Sequence, residues 1–162
     1  MRCLIIGCGC RGLSLARELR GDGHAVRGTT RDPEREAIIA AAGAEPFVGD
    51  PDRVGTLVPA LQHVGVVCVL LGTAVGDVSS LHGSRLEMLL GKLLDTTVRG
   101  VVYESAGTVP ADLLARGTER VRAVCEQSRI PFALLDRDPA DHRAWLEGAL
   151  AAVDSVMKGS GA

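Results

Sequence analysis

The sequence predicts an α/β fold, a single domain with a doubly wound parallel sheet of about six strands and helices on both faces. Short continuous apolar runs alternate with longer segments whose apolar residues recur at helical spacing. The most apolar run, residues 64–71, is rich in β-branched residues, which is typical of a parallel strand covered on both faces. The length of 162 residues corresponds to about one domain, and 46% of the residues are hydrophobic.

The predicted strands are the short apolar runs, which glycine, proline or polar residues interrupt. They cover residues 3–6, 25–29, 46–48, 64–71, 100–103 and 130–135. Helices are predicted where apolar residues share one helical face. They cover residues 13–19, 33–42, 54–61, 80–94, 110–127 and 139–157. Gly21 and Gly43 end the first two helices, and Pro33 suits the first turn of the second. The domain is therefore expected to span residues 1–158, with residues 159–162 as a flexible tail.

The composition argues against several classes of function. The 18 basic and 20 acidic side chains give a net charge of −2, which does not favour a nucleic-acid or membrane-surface partner. Aromatic residues make up 2% of the chain, too few for a base-stacking surface. No apolar stretch approaches the roughly 18–20 residues that span a membrane, and no N-terminal signal segment is expected. The five cysteines form no CxxC pair, so we expect reduced thiols and a cytoplasmic location.

A glycine-rich loop separates the first predicted strand from the first predicted helix. Its sequence, GCGCRG at residues 7–12, fits the GxGxxG pattern of nucleotide-binding loops. The first glycine permits the tight turn, the second lets the backbone approach a pyrophosphate, and the third lets the helix pack close to the sheet. The N–H groups and dipole at the helix start favour a bound phosphate. The expected cofactor-binding residues of the loop are Gly7, Gly9, Cys10, Arg11 and Gly12.

The loop cysteines raise a separate question. Cys8 and Cys10 have no neighbouring histidine or cysteine pair in the sequence, so they are interpreted as plain loop residues and no metal site is predicted. The alternative is a reactive thiol, because a helix start lowers a thiol's pKa.

The end of the second strand distinguishes between the two nicotinamide dinucleotides. NAD-binding units usually place an acid there, which holds the ribose 2′-OH. This sequence instead has Thr29, Thr30 and Arg31, and a guanidinium suits a 2′-phosphate. NADP is therefore the predicted cofactor, with possible help from Arg27 or Arg35. NAD remains the alternative, because Asp32 follows directly and could serve a 2′-OH if it turned inward.

Further candidate residues follow the later strands, because ligands of open parallel sheets bind at the carboxyl ends of the strands. Asp50 either lines an adenine or caps a helix, and for Asp52 the cap is favoured. Leu71, Gly72 and Thr73 end the fourth strand and are expected beside the cofactor. The segment that begins with Tyr103 and contains Ser105 ends the fifth strand and faces the same crevice. The four histidines and Trp145 are interpreted as structural or exposed residues.

Taken together, the glycine loop, Thr30-Arg31, Gly49-Asp50 and the Ser105 segment resemble the short-chain dehydrogenase/reductases, most closely their atypical and extended, epimerase-like NAD(P)-binding branch. Residues 130–137 are similar to the sixth strand of that family, so the resemblance covers about residues 1–137. Family members commonly have TGxxGxxG, whereas this loop has the GxGxxG of atypical members. The resemblance implies a Rossmann-type fold and a cofactor at the glycine loop. It also implies dimerisation through helices 80–94 and 110–127.

The resemblance lacks the catalytic pair of the family. Active members use a serine, then a tyrosine and a lysine four residues apart, and only Ser105 has a counterpart here. The predicted helix 110–127 contains neither tyrosine nor lysine. We therefore expect a cofactor-binding or sensor protein with weak or no turnover. The alternative is an NADPH-dependent oxidoreductase or epimerase-like enzyme, with an unknown small-molecule substrate and a non-standard catalytic set of Ser105 and Tyr103.

Overall fold

The described residues form a six-stranded sheet in which every neighbouring pair of strands is parallel. The computed structural model describes residues 1–159. The strands are β1 (Arg2–Ile6), β2 (Ala25–Thr30), β3 (Glu45–Val48), β4 (Val66–Val69), β5 (Gly100–Glu104) and β6 (Phe132–Leu135). Their spatial order is β3-β2-β1-β4-β5-β6, so the direction of winding reverses between β1 and β4. The α/β class and the six predicted strands are confirmed.

Within residues 1–159, six α-helices lie between or after the strands and cover the sheet. They are α1 (Cys10–Gly21), α2 (Glu36–Ala41), α3 (Val78–Leu81), α4 (Ser84–Leu93), α5 (Ala111–Ser128) and α6 (His142–Met157). Because successive side chains of a strand point to opposite faces, β1 contributes Cys3 and Ile5 to one apolar core and Leu4 and Ile6 to the other. The first core includes buried residues of α1, α2 and α6, and the second includes those of α4 and α5.

Two predicted helices are wrong in detail. Residues 54–61 form two 3₁₀ segments, Val54–Thr56 and Val58–Leu61, instead of one α-helix. This segment contains a glycine and a proline, both of which are poor residues for a helix interior. Residues 80–94 form α3 and α4, which are separated at His82 and Gly83. A side chain at Gly83 would lie 2.6 Å from the Ser79 carbonyl oxygen, so the break requires glycine.

Two helix starts also differ from the predictions. Pro33 begins a 3₁₀ turn, Pro33–Arg35, before α2. Helix α6 begins at His142 instead of residue 139, because the Asp141 side chain accepts a hydrogen bond from the Ala144 N–H and caps the helix there. Within residues 1–159, none of the helices is long and apolar enough to cross a membrane. Of the predicted tail, residues 160–162 lie outside the described part of the chain.

Candidate functional site

The glycine loop turns sharply from β1 into α1. Gly7 has a φ of +88°, and a Cβ at this position would collide with the Leu70 carbonyl oxygen. Gly12 lies against β1, where an added Cβ would be 3.3 Å from the Ile5 side chain. At Gly9, by contrast, an added Cβ would meet nothing within 4 Å, so this position opens onto free space. Gly7 therefore forms the tight turn, Gly9 leaves space for a ligand to approach the backbone, and Gly12 allows α1 to pack closely against β1.

The start of α1 is available to a ligand. Gly9 is the N-cap residue, and it cannot provide the side-chain hydrogen bond that usually satisfies the first N–H groups of a helix. The first turn also contains no acidic residue. The unpaired N–H groups and the positive end of the helix dipole therefore remain free to bind an anion.

A cleft of about 310 Å³ lies on one side of this loop, above the carboxyl ends of β1, β2 and β3. Its walls come from the glycine loop, the ends of β2 and β3, and the segment after β4. The lining residues are Gly7, Cys8, Gly9, Thr29, Thr30, Arg31, Arg35, Gly49, Pro51, Asp52, Leu70, Leu71, Thr73, Ala74, Val75 and Leu81. We call it the first cleft.

The charged groups of the first cleft are two arginines and one acid. Arg31 is exposed, and Arg35 donates a hydrogen bond of 3.3 Å to the Cys8 carbonyl oxygen at the base of the loop. Asp32 is not among the lining residues. Its side chain instead accepts a hydrogen bond from the Glu34 N–H at 2.9 Å and caps the 3₁₀ turn. The acid of this lining is Asp52, which comes from the segment after β3.

A second cleft, of about 270 Å³, lies on the other side of the loop, toward β5 and α6. Its lining residues are Gly7, Gly9, Cys10, Arg11, Gly12, Leu70, Thr73, Glu104 and Trp145. Arg11 donates a hydrogen bond of 2.6 Å to the Thr73 hydroxyl, and its guanidinium lies 5.8 Å from the centre of the Trp145 ring. Among residues 1–159, the buried Nε of Arg11 has no hydrogen-bond partner.

Glu104, the last residue of β5, supplies a buried carboxylate to the second cleft. The residue is 1% exposed. Its Oε1 accepts a hydrogen bond from the Gly72 N–H at 2.7 Å, and its Oε2 accepts one from the Trp145 indole N–H at 2.7 Å. Glu104 therefore joins the end of β5 to the segment after β4 and to α6.

Tyr103, predicted as a catalytic residue, is not among the residues that line the two clefts. It alternates with Glu104 on β5 and so points into the opposite core, where it is fully buried. Its ring lies against Gly117 of α5, where an added Cβ would collide with the phenol oxygen. Burial raises the pKa of Tyr103 well above its usual value, so the phenol stays protonated.

The Tyr103 hydroxyl is bound to a buried histidine that was interpreted only as structural or exposed. His82 Nε2 lies 2.9 Å from the Leu71 carbonyl oxygen, and Nδ1 lies 2.6 Å from the Tyr103 hydroxyl. A carbonyl only accepts, so Nε2 donates to it, and the neutral Nδ1 accepts the hydroxyl proton. Burial lowers the pKa of His82. The neutral ring thus holds the end of β4 against the core.

We expect the protein to lose stability as the pH falls below about 6.5, in part because of His82. The folded state binds this proton less readily than the unfolded chain does, so the contribution is complete above the unfolded pKa and disappears on acidification. Urea unfolding at pH 7.5 and pH 5 measures the loss. The loss should be smaller in His82→Gln and unchanged in His142→Gln, which removes an exposed histidine. Equal losses in all three proteins would contradict this assignment.

Other predicted site residues are placed as follows. Ser105 is half-buried directly after β5, donates its backbone N–H to the Leu135 carbonyl oxygen, and is not among the residues that line the two clefts. Leu71 lines the first cleft, and the Gly72 N–H is bound to Glu104.

The acids after β3 differ in position. Asp50 accepts a hydrogen bond from the Asp52 N–H and is not among the residues that line the two clefts. Asp52, for which the cap was favoured, lines the first cleft, whereas the N-cap of the next 3₁₀ segment is Arg53.

Arg27, predicted as a possible helper at a 2′-phosphate, is committed to the framework. It is buried and forms an ion pair with Glu45 at 3.2 Å. Its Nη1 also donates to the carbonyl oxygens of Ala60 and Gln62. The Arg27 guanidinium thus joins β2 to β3 and to the second 3₁₀ segment, and it is not available to a ligand.

The cysteines of residues 1–159 are all free thiols. Cys8 is buried between the loop and β2, and burial raises its pKa to about 11, an effect that the nearby Arg35 partly offsets. The reactive-thiol alternative therefore does not hold for Cys8. Cys10 is exposed at the start of α1. Within the described chain, no three of the His, Cys, Asp and Glu side chains are grouped to hold a metal ion.

Comparisons with solved structures identify the fold. A short-chain dehydrogenase/reductase superfamily protein from Agrobacterium tumefaciens with bound NAD matches 83% of this chain, with a TM-score of 0.67 and 21% identity over 48% of its own length. The Citrobacter sp. triphenylmethane reductase complexed with NADP(H) also matches 83%, with a TM-score of 0.65 and 16% identity over 49% of its length. This chain has a Rossmann-type fold. The fold predicted by the family resemblance is thereby confirmed.

A third Rossmann-type structure extends the comparison to epimerases. The UDP-glucuronic acid 4-epimerase from Bacillus cereus in complex with NAD matches 85% of this chain, with a TM-score of 0.64 and 15% identity over 56% of its length. The chain thus spans about half the length of the solved structures it matches. No protein-family model matches the sequence, and no curated protein matches it.

Proposed function

We propose that this Rossmann-type domain binds a nicotinamide dinucleotide, with NADP preferred, and acts as a cofactor-binding or sensor protein with weak or no turnover. The observation that supports binding most directly is the uncapped start of α1 behind Gly9, where an added side chain would enter open space. The structures with the same fold include proteins described with bound NAD and with NADP(H).

The residues of the two clefts fit such a cofactor. The pyrophosphate would be held by the N–H groups at the start of α1, with the unpaired Nε of Arg11 as a further donor on its other side. The first cleft would take the adenosine half and the second cleft the nicotinamide half, because dinucleotides lie across the point where the strand order reverses. When bound, the cofactor supplies the capacity for hydride transfer.

The preference for NADP is inferred from the charges of the first cleft. Arg31 and Arg35 line it, and arginine binds phosphate with paired, charge-assisted hydrogen bonds. Asp32 is engaged in capping the 3₁₀ turn, which weakens the case for a carboxylate on a free ribose 2′-OH. Asp52 lines the cleft from the β3 side and is the remaining acid that could accept from the adenosine half.

Weak or absent turnover is inferred from the placement of the polar groups. Tyr103, the chain's single tyrosine, is buried under α5 and bound to His82. Helix α5 contains neither tyrosine nor lysine. Ser105 is absent from the lining of both clefts. The tyrosine and lysine that family members use therefore have no counterpart on α5, and Ser105 does not line the clefts proposed for the cofactor. A homodimer through α4 and α5, and a cytoplasmic location, remain predictions.

Thermal unfolding and calorimetry with NADP, NADPH, NAD and NADH test this proposal, because a ligand that binds only the native state raises its stability. We expect NADP or NADPH to bind more tightly than NAD or NADH. Arg31→Ala should weaken NADP binding about tenfold or more while changing NAD binding less than about twofold, since one charge-assisted contact is lost.

Arg99→Ala is the matched control, because Arg99 is also exposed but precedes β5, so it lies at the amino ends of the strands, away from both clefts. It should leave all four affinities unchanged. A protein that binds none of the four dinucleotides would refute the proposed function. Tighter binding of NAD than of NADP would refute the role of Arg31.

A further inference from the structure

We propose that the second cleft selects the oxidised form of the cofactor, with the Glu104 carboxylate as the residue that determines this specificity. The inference rests on the proposed function, since it concerns which redox form of a nicotinamide dinucleotide is bound. It identifies the protein as a receptor for the oxidised cofactor.

Glu104 is a hydrogen-bond acceptor whose charge is buried, and burying a charge away from water costs free energy. Both of its oxygens accept hydrogen bonds from N–H groups, as those of an ionised carboxylate do. The residue is 1% exposed, so water screens this charge poorly. The Gly72 and Trp145 donors are uncharged, and within residues 1–159 the carboxylate takes part in no ion pair. A buried charge without an opposite partner favours the arrival of a cation.

Arg11 is the cation of the same cleft, yet it forms no ion pair with Glu104. Its guanidinium donates to the Thr73 hydroxyl and lies over the Trp145 ring. A pyrophosphate at the start of α1 would attract this guanidinium, because arginine binds phosphate with paired, charge-assisted hydrogen bonds. The Glu104 carboxylate would then remain as the negatively charged group among the residues that line this cleft.

The position of the second cleft in the sheet makes it the nicotinamide side. The arginines that suit a 2′-phosphate line the first cleft, beside β2 and β3. Glu104 ends β5 and Trp145 belongs to α6, on the other side of the reversal in strand order. The two halves of a dinucleotide lie on opposite sides of that reversal.

The two redox forms differ by one charge at this end of the molecule. The oxidised nicotinamide ring is a cation, whereas the reduced dihydronicotinamide ring is neutral. A buried carboxylate attracts the cation by charge. Glu104 therefore favours the oxidised form and gives no such advantage to the neutral one.

The test compares the dissociation constants of NADP and NADPH for the whole protein, measured by calorimetry at one pH and one salt concentration. In the wild type we expect NADP to bind about tenfold more tightly than NADPH, or more. Glu104→Gln removes the charge, and its amide oxygen can still accept from the Gly72 N–H, so the ratio should fall toward one. Glu126→Gln, an exposed acid on α5, should keep the wild-type ratio.

Trp145→Phe provides a second variant that retains the Glu104 charge while removing the indole N–H. It should still prefer NADP, even if both affinities fall because packing is lost. Equal or tighter binding of NADPH by the wild type would overturn the inference, and this needs no variant to fold. A Glu104→Gln protein that loses affinity for both forms equally and keeps the ratio would overturn it too, since Glu104 would then be only structural. If no dinucleotide binds, the proposed function itself fails.

Discussion

Gly9→Asp is expected to preserve the fold and to weaken dinucleotide binding by about a hundredfold or more. The substitution changes a position that has no structural neighbour, since an added Cβ meets nothing within 4 Å. Its backbone angles, φ −84° and ψ −159°, are extended, and any residue adopts them. The variant therefore separates the binding role of the loop from its role in folding.

Aspartate at this position should act on the helix and on the ligand in opposite ways. Gly9 is the N-cap of α1, and aspartate is among the best N-cap residues because its carboxylate accepts from the first N–H groups. The same carboxylate would occupy the N–H groups that a pyrophosphate needs and would repel the phosphate charge. The stability of the free protein should stay equal or rise slightly, while its affinity for the dinucleotide should fall strongly.

Calorimetric titration with NADP and a thermal unfolding curve of the free protein measure the two effects. Gly91→Asp is the matched control, because this exposed position on α4 also has open space around an added Cβ and receives the same charge. It should bind NADP as the wild type does. Retained affinity in Gly9→Asp would mean that the start of α1 is not the phosphate site.

The steric roles of the glycine loop were predictable from the sequence because they are local. Gly7, Gly9 and Gly12 follow one strand and open one helix, and the geometry of that single turn decides which position needs a positive φ, open space or close packing. The strands were predictable for a related reason. A parallel strand covered on both faces is continuously apolar, so its pattern needs no knowledge of its neighbours.

The second cleft was not predictable, because long-range contacts create it. Glu104 and Trp145 are 41 residues apart, and their hydrogen bond depends on how α6 crosses the sheet. Alternation along β5 does establish that Tyr103 and Glu104 point to opposite faces, but it does not say which face meets the cleft. Tyr103 was the predicted catalytic residue because of the chemistry of its phenol. A glutamate at the end of a buried, apolar strand was the signal that pointed to the cleft.

The break between α3 and α4 was missed for a different physical reason. The apolar spacing of residues 80–94 continues through the break, so the pattern alone favours one helix. His82 and Gly83 separate the two pieces, and His82 turns inward to Leu71 and Tyr103. A buried polar contact outside the helix thus overrides its local periodicity.

Gly7→Ala is expected to destabilise the protein by about 3 kcal/mol or more, through two separate costs. The first is conformational, because a φ of +88° places an L-residue in the left-handed region, at about 1–2 kcal/mol. The second is steric, because the new methyl group would meet the Leu70 carbonyl oxygen, which belongs to the backbone and cannot rotate away. The Leu70 N–H is bound to the Ile6 carbonyl at 2.9 Å, so any shift of Leu70 also strains the pairing of β1 with β4.

Gly23→Ala measures the conformational cost of a positive φ without the steric cost. Gly23 has a φ of +89°, nearly the same as that of Gly7, but an added Cβ there would meet nothing within 4 Å. Urea unfolding of both variants at one pH should therefore give a loss of about 1–2 kcal/mol for Gly23→Ala and a clearly larger loss for Gly7→Ala. The difference measures how closely the loop approaches the end of β4, the contact that keeps both clefts beside the start of α1. Equal losses in the two variants would mean that the backbone of Leu70 yields to the methyl group, and that the loop needs glycine at position 7 for its φ alone.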